Sequence, residues 1–405
     1  MTFVFAWRYF TGKKTTIAIN LIAWISILAL AVGAASLILV LSVFNGFEDL
    51  VKSLYADFYT DIRIAPQKGK FITLSDQQLQ KIKGINGIKG ISCIVEEKAV
   101  LVNDAFQSIV YLKGVDENYS HVSGLSKHVF KGSFNLGNSD KPMLFLGAGI
   151  ENAVAVEPGL TLRPLTVYLP NFKASNFSGL DALNSYNADV SGSFILQQDF
   201  DNKYAITNIG FLKYMLELSP DQFSAIEIVL DNSNSSELTK SALEKYLGTN
   251  YKIQTRFEQN QSLYTIMQVE KWVIYGILSL ILVVAAFNMI GALTMLVLEK
   301  QKDIAVLKAM GATDSYIQRI FLNEGFVLAT VGGGSGIFIA VVICLLQVKY
   351  KLIKLSGGSF IIDYYPVKML PLDFCLVIIT IFIIALFASW IPSRKASRQD
   401  FSLKS

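Results

Sequence analysis

The chain has 405 residues, 52% of them hydrophobic, and a formal net charge of +4. Its mean hydropathy of +0.43 is too high for an ordinary soluble protein and too low for a bundle made only of membrane helices. So small a charge makes no case for nucleic acid, and three cysteines with two histidines neither frame a disulfide scaffold nor show metal-ligand spacing.

Residues 1–16 read as a short cytoplasmic tail with Arg8, Lys13 and Lys14. Residues 17–44 are strongly apolar. A cleaved signal would have an apolar core of about 7–15 residues followed by a small-residue cleavage site. This run is far longer and ends VLSVFNGFEDL, so it reads as a retained first transmembrane helix. At ~1.5 Å per residue it exceeds a hydrocarbon core of ~30 Å, and therefore tilts or projects.

Residues 45–271 form one polar block of mixed α+β order. IRIAP starts a strand, and SDQQLQKIKG is a helix capped by Ser75 and stopped at Gly84. ISCIVEEKAVLV and QSIVYLKGV pair as strands, and MLFLGAGIENAVAV is a strand end leading into a helix. LTLRPLTVYLP is another strand, and FSAIEIVLD, SSELTKSALEKYLG and YKIQTRF close the block as a β-α-β unit. Residues 171–189 lack periodicity and read as one long loop, a length that is commonly functional.

Three further apolar runs follow: residues 272–298, 320–346 and 372–392. Residues 299–319 join the first two, residues 347–371 make an outer loop, and residues 393–405 are a tail. The fold class is thus a membrane protein with four transmembrane helices and a large α+β extracytoplasmic domain between helices one and two. With cytoplasmic termini the inner flanks carry eleven Lys and Arg, against Lys349, Lys351, Lys354 and Lys368 outside. This follows the positive-inside rule, although the outer loop is itself lysine-rich.

The stretch LEKQKDIAVLKAMGATDSYIQRIFLNEG organises the membrane half. Ile304, Leu307 and Met310 recur at helical spacing, Gly311 offers a left-handed stop, and Thr313 or Asp314 caps the next helix. A helix between two spans either lies on the headgroups or docks a cytoplasmic partner. No G-x-x-x-x-G-K-[ST] loop exists in the chain. Gly332, Gly333, Gly334, Ser335 and Gly336 sit in an apolar run and read as a close-packing surface. Asn288, mid-run, reads as an interhelical hydrogen-bonding residue.

MLVLEKQKDIAVLKAMGAT closely resembles the coupling segment of FtsX-like ABC transporter permeases, and above all of the lipoprotein-releasing (Lol) permeases. LSVFNGFE, RFEQNQSLYTIMQVEKW and ASWIPSRKASRQD resemble the family's other membrane-flanking motifs, so the likeness covers essentially the whole chain. Asp400-Phe401 replaces the usual Asp-Pro at the extreme tail.

The resemblance implies a permease of the inner membrane that extracts lipoproteins from the outer leaflet and hands them to a periplasmic carrier. It implies no enzyme and no cofactor on this chain, with ATP and Mg held by a separate ABC ATPase present in two copies. A second permease, identical or homologous, and membrane lipids complete the partners. Glu299, Lys300, Asp303, Ile304, Leu307, Lys308, Met310 and Gly311 would dock the ATPase, the apolar members as buried anchors. Val40, Val43, Phe44, Asn45 and Phe47, with Trp272 and Tyr275, would form the cargo path. The loop from Pro170, with Asn171, Phe172 and Phe177, would hook the carrier. Other branches of the superfamily leave two alternatives: transmission of ATPase motion to a partner such as a cell-wall hydrolase, or export of macrolides or peptides.

Overall fold

The computed structural model describes residues 17–159, 164–171, 183–355 and 362–397. The chain opens on α1 (Ile17–Phe58). A sheet-rich stretch follows: β1 (Ile62–Pro66), β2 (Ile72–Thr73), α2 (Asp76–Lys83), β3 (Ile88–Asn103), β4 (Phe106–Val115), β5 (Val129–Gly132), β6 (Met143–Gly147) and α3 (Ala148–Ala153). It continues with β7 (Leu165–Pro170), β8 (Leu183–Phe194), β9 (Tyr204–Asn208), α4 (Ile209–Met215), β10 (Gln222–Phe223), β11 (Ala225–Leu230), α5 (Ser236–Leu247) and β12 (Tyr251–Thr255). The last long elements are α6 (Gln261–Glu299), α7 (Gln301–Ala309), α8 (Asp314–Tyr350) and α9 (Pro371–Ser397). The chain divides into two compact units. One holds the residues up to Leu50 and from Thr265 onward, the other Val51–Tyr264.

The second unit is built on one sheet in the order β12-β1-β11-β3-β4-β9-β6-β8-β5. Its first four strands, with α2 and α5, make a ferredoxin-like split β-α-β arrangement, because β1 lies antiparallel between β11 and β12. The expected closing β-α-β unit is therefore present, with β1 inserted between its two strands. Strand β3 is long enough to serve both halves. Its first part pairs with β11 and its later part with β4 and β7. Since β7 also pairs with β8, the strands β3, β4, β9, β6, β8 and β7 close into a ring. Leu101, Leu112, Leu146 and Val167 from that ring share one apolar cluster with Ile150 of α3 and Phe211 of α4.

Local chemistry explains the element ends. Ser75 and Gln78 form a reciprocal capping box at the start of α2, and Gly84 closes it. The expected loop over residues 171–189 is corrected at its end: β8 begins at Leu183 and pairs Leu183 to Ala188 against β7. Its polar residues Asn184, Ser185 and Asn187 hid the strand. They alternate with Leu183, Tyr186 and Ala188 only weakly, and the backbone ladder to β7 supplies what side-chain pattern does not.

Lys113 and Glu227 are a charged pair buried inside this unit. Lys113 Nζ lies 2.8 Å from Glu227 Oε1 and donates to Tyr119 Oη at 3.3 Å. Burial works against the Lys113 ammonium, yet the Glu227 carboxylate holds its pKa above the ordinary lysine range.

The first unit contains the apolar parts of the four described helices long and apolar enough to cross a membrane, α1, α6, α8 and α9. Glycines set how closely α8 approaches its neighbours. A Cβ on Gly336 would stand 2.2 Å from the Ala31 carbonyl oxygen, and one on Gly332 2.9 Å from that of Ile27. On another face of the same helix, Gly325 abuts Ser389 and Gly333 abuts Ile381 of α9. The glycine-rich run is thus a two-sided packing surface, as small residues in membrane helices commonly are. Asn288 departs from expectation. It is exposed on α6, and among the described residues it has no hydrogen-bond partner.

Candidate functional site

Two polar assemblies interrupt the apolar unit. The first is the turn from α6 through α7 into α8. Gly311 takes φ +91°, the left-handed stop its position requires, and Thr313 caps α8 by accepting from the Tyr316 amide. Ile304 is 2% exposed and packs with Leu296, Val297, Ile317, Phe321 and Ala396. It therefore anchors α7 to its own chain and is not available to a partner, which corrects its expected docking role. Leu307 is half-buried, whereas Met310 is 79% exposed and Val306 58% exposed. Val306 was missed by the three-residue spacing, which runs from buried Ile304 round to exposed Met310. Lys308 is also engaged internally: its Nζ donates to the Ser397 carbonyl at 2.8 Å and lies 3.1 Å from Asp314 Oδ1. Lys300 pairs with Asp303 at 3.5 Å. Glu299 ends α6 just before this turn.

The second assembly is at the other end of the apolar helices. Asn45 is 2% exposed. Its Nδ2 donates to Asp373 Oδ2 at 2.5 Å, and its Oδ1 accepts from Lys271 Nζ at 2.8 Å. Lys271 also lies 3.1 Å from Asp373 Oδ1. One amide, one ammonium and one carboxylate thus join α1, α6 and α9. An amide can serve both charges because it has donors and acceptors on separate atoms. Asn45 and Lys271 lie in motifs legible in the sequence; Asp373 carries no local signal and was missed.

Beside this node the described residues between α8 and α9, 351–355 and 362–370, form an arch. Gln347 is buried, and its amide nitrogen donates to the carbonyls of Ile353 (3.0 Å) and Tyr365 (3.1 Å) while its oxygen accepts from the Ile353 amide (2.9 Å). The arch then clamps α1. Lys368 N donates to Ser42 O at 2.9 Å, the Lys368 ammonium pairs with Asp49, and the Phe47 and Tyr365 rings meet edge-on with centroids 5.8 Å apart. Gly46 permits the contact, since a Cβ there would lie 2.3 Å from the Pro366 carbonyl oxygen. Val40 and Val43 line an apolar cavity of about 400 Å³ with Ile343 and residues of the arch.

The expected cargo path is therefore divided. Val40, Val43 and Phe47 face α8 and the arch, whereas Tyr275 bonds Thr380 of α9 at 2.5 Å and Trp272 is 63% exposed. The arch covers the side of α1 that carries Val40, Val43 and Phe47, while Trp272 and Tyr275 belong to α6, so the seven residues do not gather on one surface. Phe44 is half-buried. Of the expected carrier hook, Pro170 ends β7 opposite Leu183 and Asn171 follows it; Phe172 and Phe177 lie outside the described residues. Cys93 is buried in β3, and burial raises its thiol to about 12, far from a reactive thiolate.

Four long apolar helices joined to a sheet-rich unit have the architecture of a membrane protein with a large domain outside its apolar helices. Residues 23–246 match the MacB-like periplasmic core domain family and residues 275–401 match the FtsX-like permease C-terminal family. The first match covers more than half of the chain, which belongs to that family. Over 98% of its length the chain is 29% identical to lipoprotein-releasing system transmembrane protein LolE of Haemophilus influenzae, covering 97% of that protein. It is 25% identical to the corresponding LolC protein of Xylella fastidiosa, over 96% of this chain and 95% of that one. Among solved structures, the periplasmic region of MacB from Actinobacillus actinomycetemcomitans aligns with 53% of this chain and 98% of that one, at 12% identity and a TM-score of 0.36. The resemblance carried by LSVFNGFE, the coupling segment and ASWIPSRKAS thus extends over nearly the whole chain.

Proposed function

We propose that this chain is the permease subunit of an ATP-driven transporter that extracts lipoproteins from the outer leaflet of the inner membrane and passes them to a periplasmic carrier. The observation that carries this reading is similarity to lipoprotein-releasing permeases over 98% of the chain, membrane turn and sheet-rich unit included. Lipid anchors gain about 0.8 kcal/mol per buried CH₂, so doubly or triply acylated proteins leave a bilayer slowly without an energy source.

In this reading α1, α6, α8 and α9 span the inner membrane with both termini in the cytoplasm. The sheet-rich unit is periplasmic and inserted between the first two spans. A separate ATPase, in two copies, supplies ATP hydrolysis and docks on the exposed face of α7 through Val306, Leu307 and Met310. A second permease, identical or homologous, completes the membrane assembly. Acyl chains are held at the outer ends of α1 and α6, near Phe44 and Trp272, and the loop after Pro170 meets the carrier. The match of residues 275–401 to FtsX-like permeases favours, as a second reading, transmission of ATPase motion to a periplasmic partner without substrate movement.

A photo-crosslinking amino acid at Phe44 distinguishes the two. Extraction predicts capture of acylated protein without ATP and loss of the adduct when ATP is supplied. Adducts to bulk phospholipid alone, unchanged by ATP, contradict it.

A further inference from the structure

The outer arch presents two features that lipoprotein extraction does not use. The first is the cavity of about 400 Å³. Val40, Val43, Ile343, Ile353, Tyr365 and Val367 line it, and Val40 and Ile343 are each 39% exposed at its margin. Its buried polar side chain, Gln347, spends both ends of its amide on the backbone of Ile353 and Tyr365. The wall therefore has no amide left to hold water, and an apolar cavity without polar partners stays dry. In a bilayer the apolar matter available to fill it is an acyl chain.

The second feature is charge. Lys349, Lys351, Lys354 and Lys368 are all exposed; Lys349 lies in the last turn of the helix that ends at Tyr350, and the other three follow it. Two of them flank the lining residue Ile353, and Lys368 follows the lining residue Val367. Lys368 pairs with Asp49, but among the described residues Lys349, Lys351 and Lys354 form no ion pair. The Lys351 ammonium lies 4.0 Å from the Tyr364 ring centroid and that of Lys349 5.4 Å from the Tyr350 ring centroid. Asp363 is the one described carboxylate within the arch. A basic cluster on the non-cytoplasmic side runs against the positive-inside tendency, so it has a reason other than orientation. Basic residues at a membrane surface attract anionic headgroups.

We propose that the arch and the outer ends of α1 and α8 form a binding site for one anionic phospholipid of the outer leaflet, with an acyl chain in the cavity and its phosphate against Lys351 and Lys354. An acyl chain attached to a protein brings no phosphate and would leave the lysines without a counter-charge, which is why a phospholipid is the occupant. The sidedness of the site rests on the reading given above; its chemistry does not.

The test uses the assembled transporter in lipid nanodiscs doped with a photoactivatable phosphatidylglycerol, or with phosphatidylcholine carrying the same chains. The site predicts that phosphatidylglycerol labels peptides containing Ile343 or Ile353 at least five-fold more than phosphatidylcholine does. Lys351→Gln with Lys354→Gln should remove that preference, and Val43→Trp, which fills the cavity, should remove labelling at both peptides. ATPase co-purification reports whether the variants assemble. Equal labelling by the two lipids overturns the proposal, as does displacement of the probe by a diacylated peptide that lacks phosphate. Loss of ATP-driven release with lipid labelling intact would instead strike at the transport reading alone.

Discussion

Asn45 and Asp373 are 328 positions apart in sequence, yet their side chains are bonded at 2.5 Å, and Lys271 completes the node by contacting both. The arrangement ties α1, α6 and α9 together through one buried amide. It makes the NGFE motif a structural keystone of the membrane unit, since Asn45 points at α6 and α9 while Gly46 and Phe47 receive the arch.

Removing Asp373 leaves an ammonium and an amide with no anionic partner. Breaking a buried pair from one side costs about 3–5 kcal/mol, and Lys271 is partly solvated, so Asp373→Leu should cost about 2–3 kcal/mol. Asp373→Asn, which keeps an acceptor for Asn45, should cost less. Thermal midpoints of the detergent-solubilised protein check this. Equal midpoints for wild type and Asp373→Leu would show that the node contributes nothing.

Ile304 and Met310 separate internal anchoring from docking. Ile304→Ala opens a cavity among Leu296, Ile317 and Phe321 and should destabilise the chain by about 2–4 kcal/mol. Met310→Asp touches an exposed position, so it should leave the thermal midpoint unchanged and reduce co-purified ATPase at least ten-fold, because a docked interface would bury an unpaired charge. Undiminished ATPase yield would remove Met310 from the docking face.

Gly336 and Gly334 make a second matched pair. Gly336→Val drives a side chain into the Ala31 carbonyl and should prevent α1 and α8 from closing, seen as aggregation on size-exclusion chromatography. Gly334 faces open space, so Gly334→Ala should behave as wild type.

Asp201 provides a pH signature in the sheet-rich unit. Burial raises its carboxyl to about 6, against the pull of the Leu196 and Gln197 amides and of His128. Because the folded value exceeds the unfolded 3.8, the folded state binds the extra proton between those values. The associated stability is complete below pH 3.8 and is lost as pH rises through about 6. Asp201→Asn should therefore match wild type near pH 4 and be the more stable at pH 7.5. Hydrogen exchange of residues 194–206 in the full chain reads this difference. A constant offset at both pH values would contradict the assignment.

The sequence made much of this visible where cause is local. The Ser75 cap and the left-handed Gly311 are short-range chemistry and stand where the pattern placed them, and of the two cap candidates Thr313 and Asp314 it is Thr313 that caps α8. The glycine-rich run was legible as a packing surface because only small residues allow backbones so close. What escaped depends on distant neighbours. Whether Ile304 faces inward is decided by Phe321 and Ala396, and the partner of Asn45 lies in a different helix. The start of β8 at Leu183 escaped because its ladder to β7 joins backbone to backbone, which a polar sequence does not advertise.

The central claim is extraction of acylated protein. Its most direct measurement places this permease, its ATPase and a lipoprotein in proteoliposomes and follows the lipoprotein into the soluble fraction. The account predicts release that requires both ATP and a periplasmic carrier, is abolished by Met310→Asp, and leaves bulk phospholipid in the bilayer. ATP turnover at the normal rate with the lipoprotein still membrane-bound, carrier present, would contradict it.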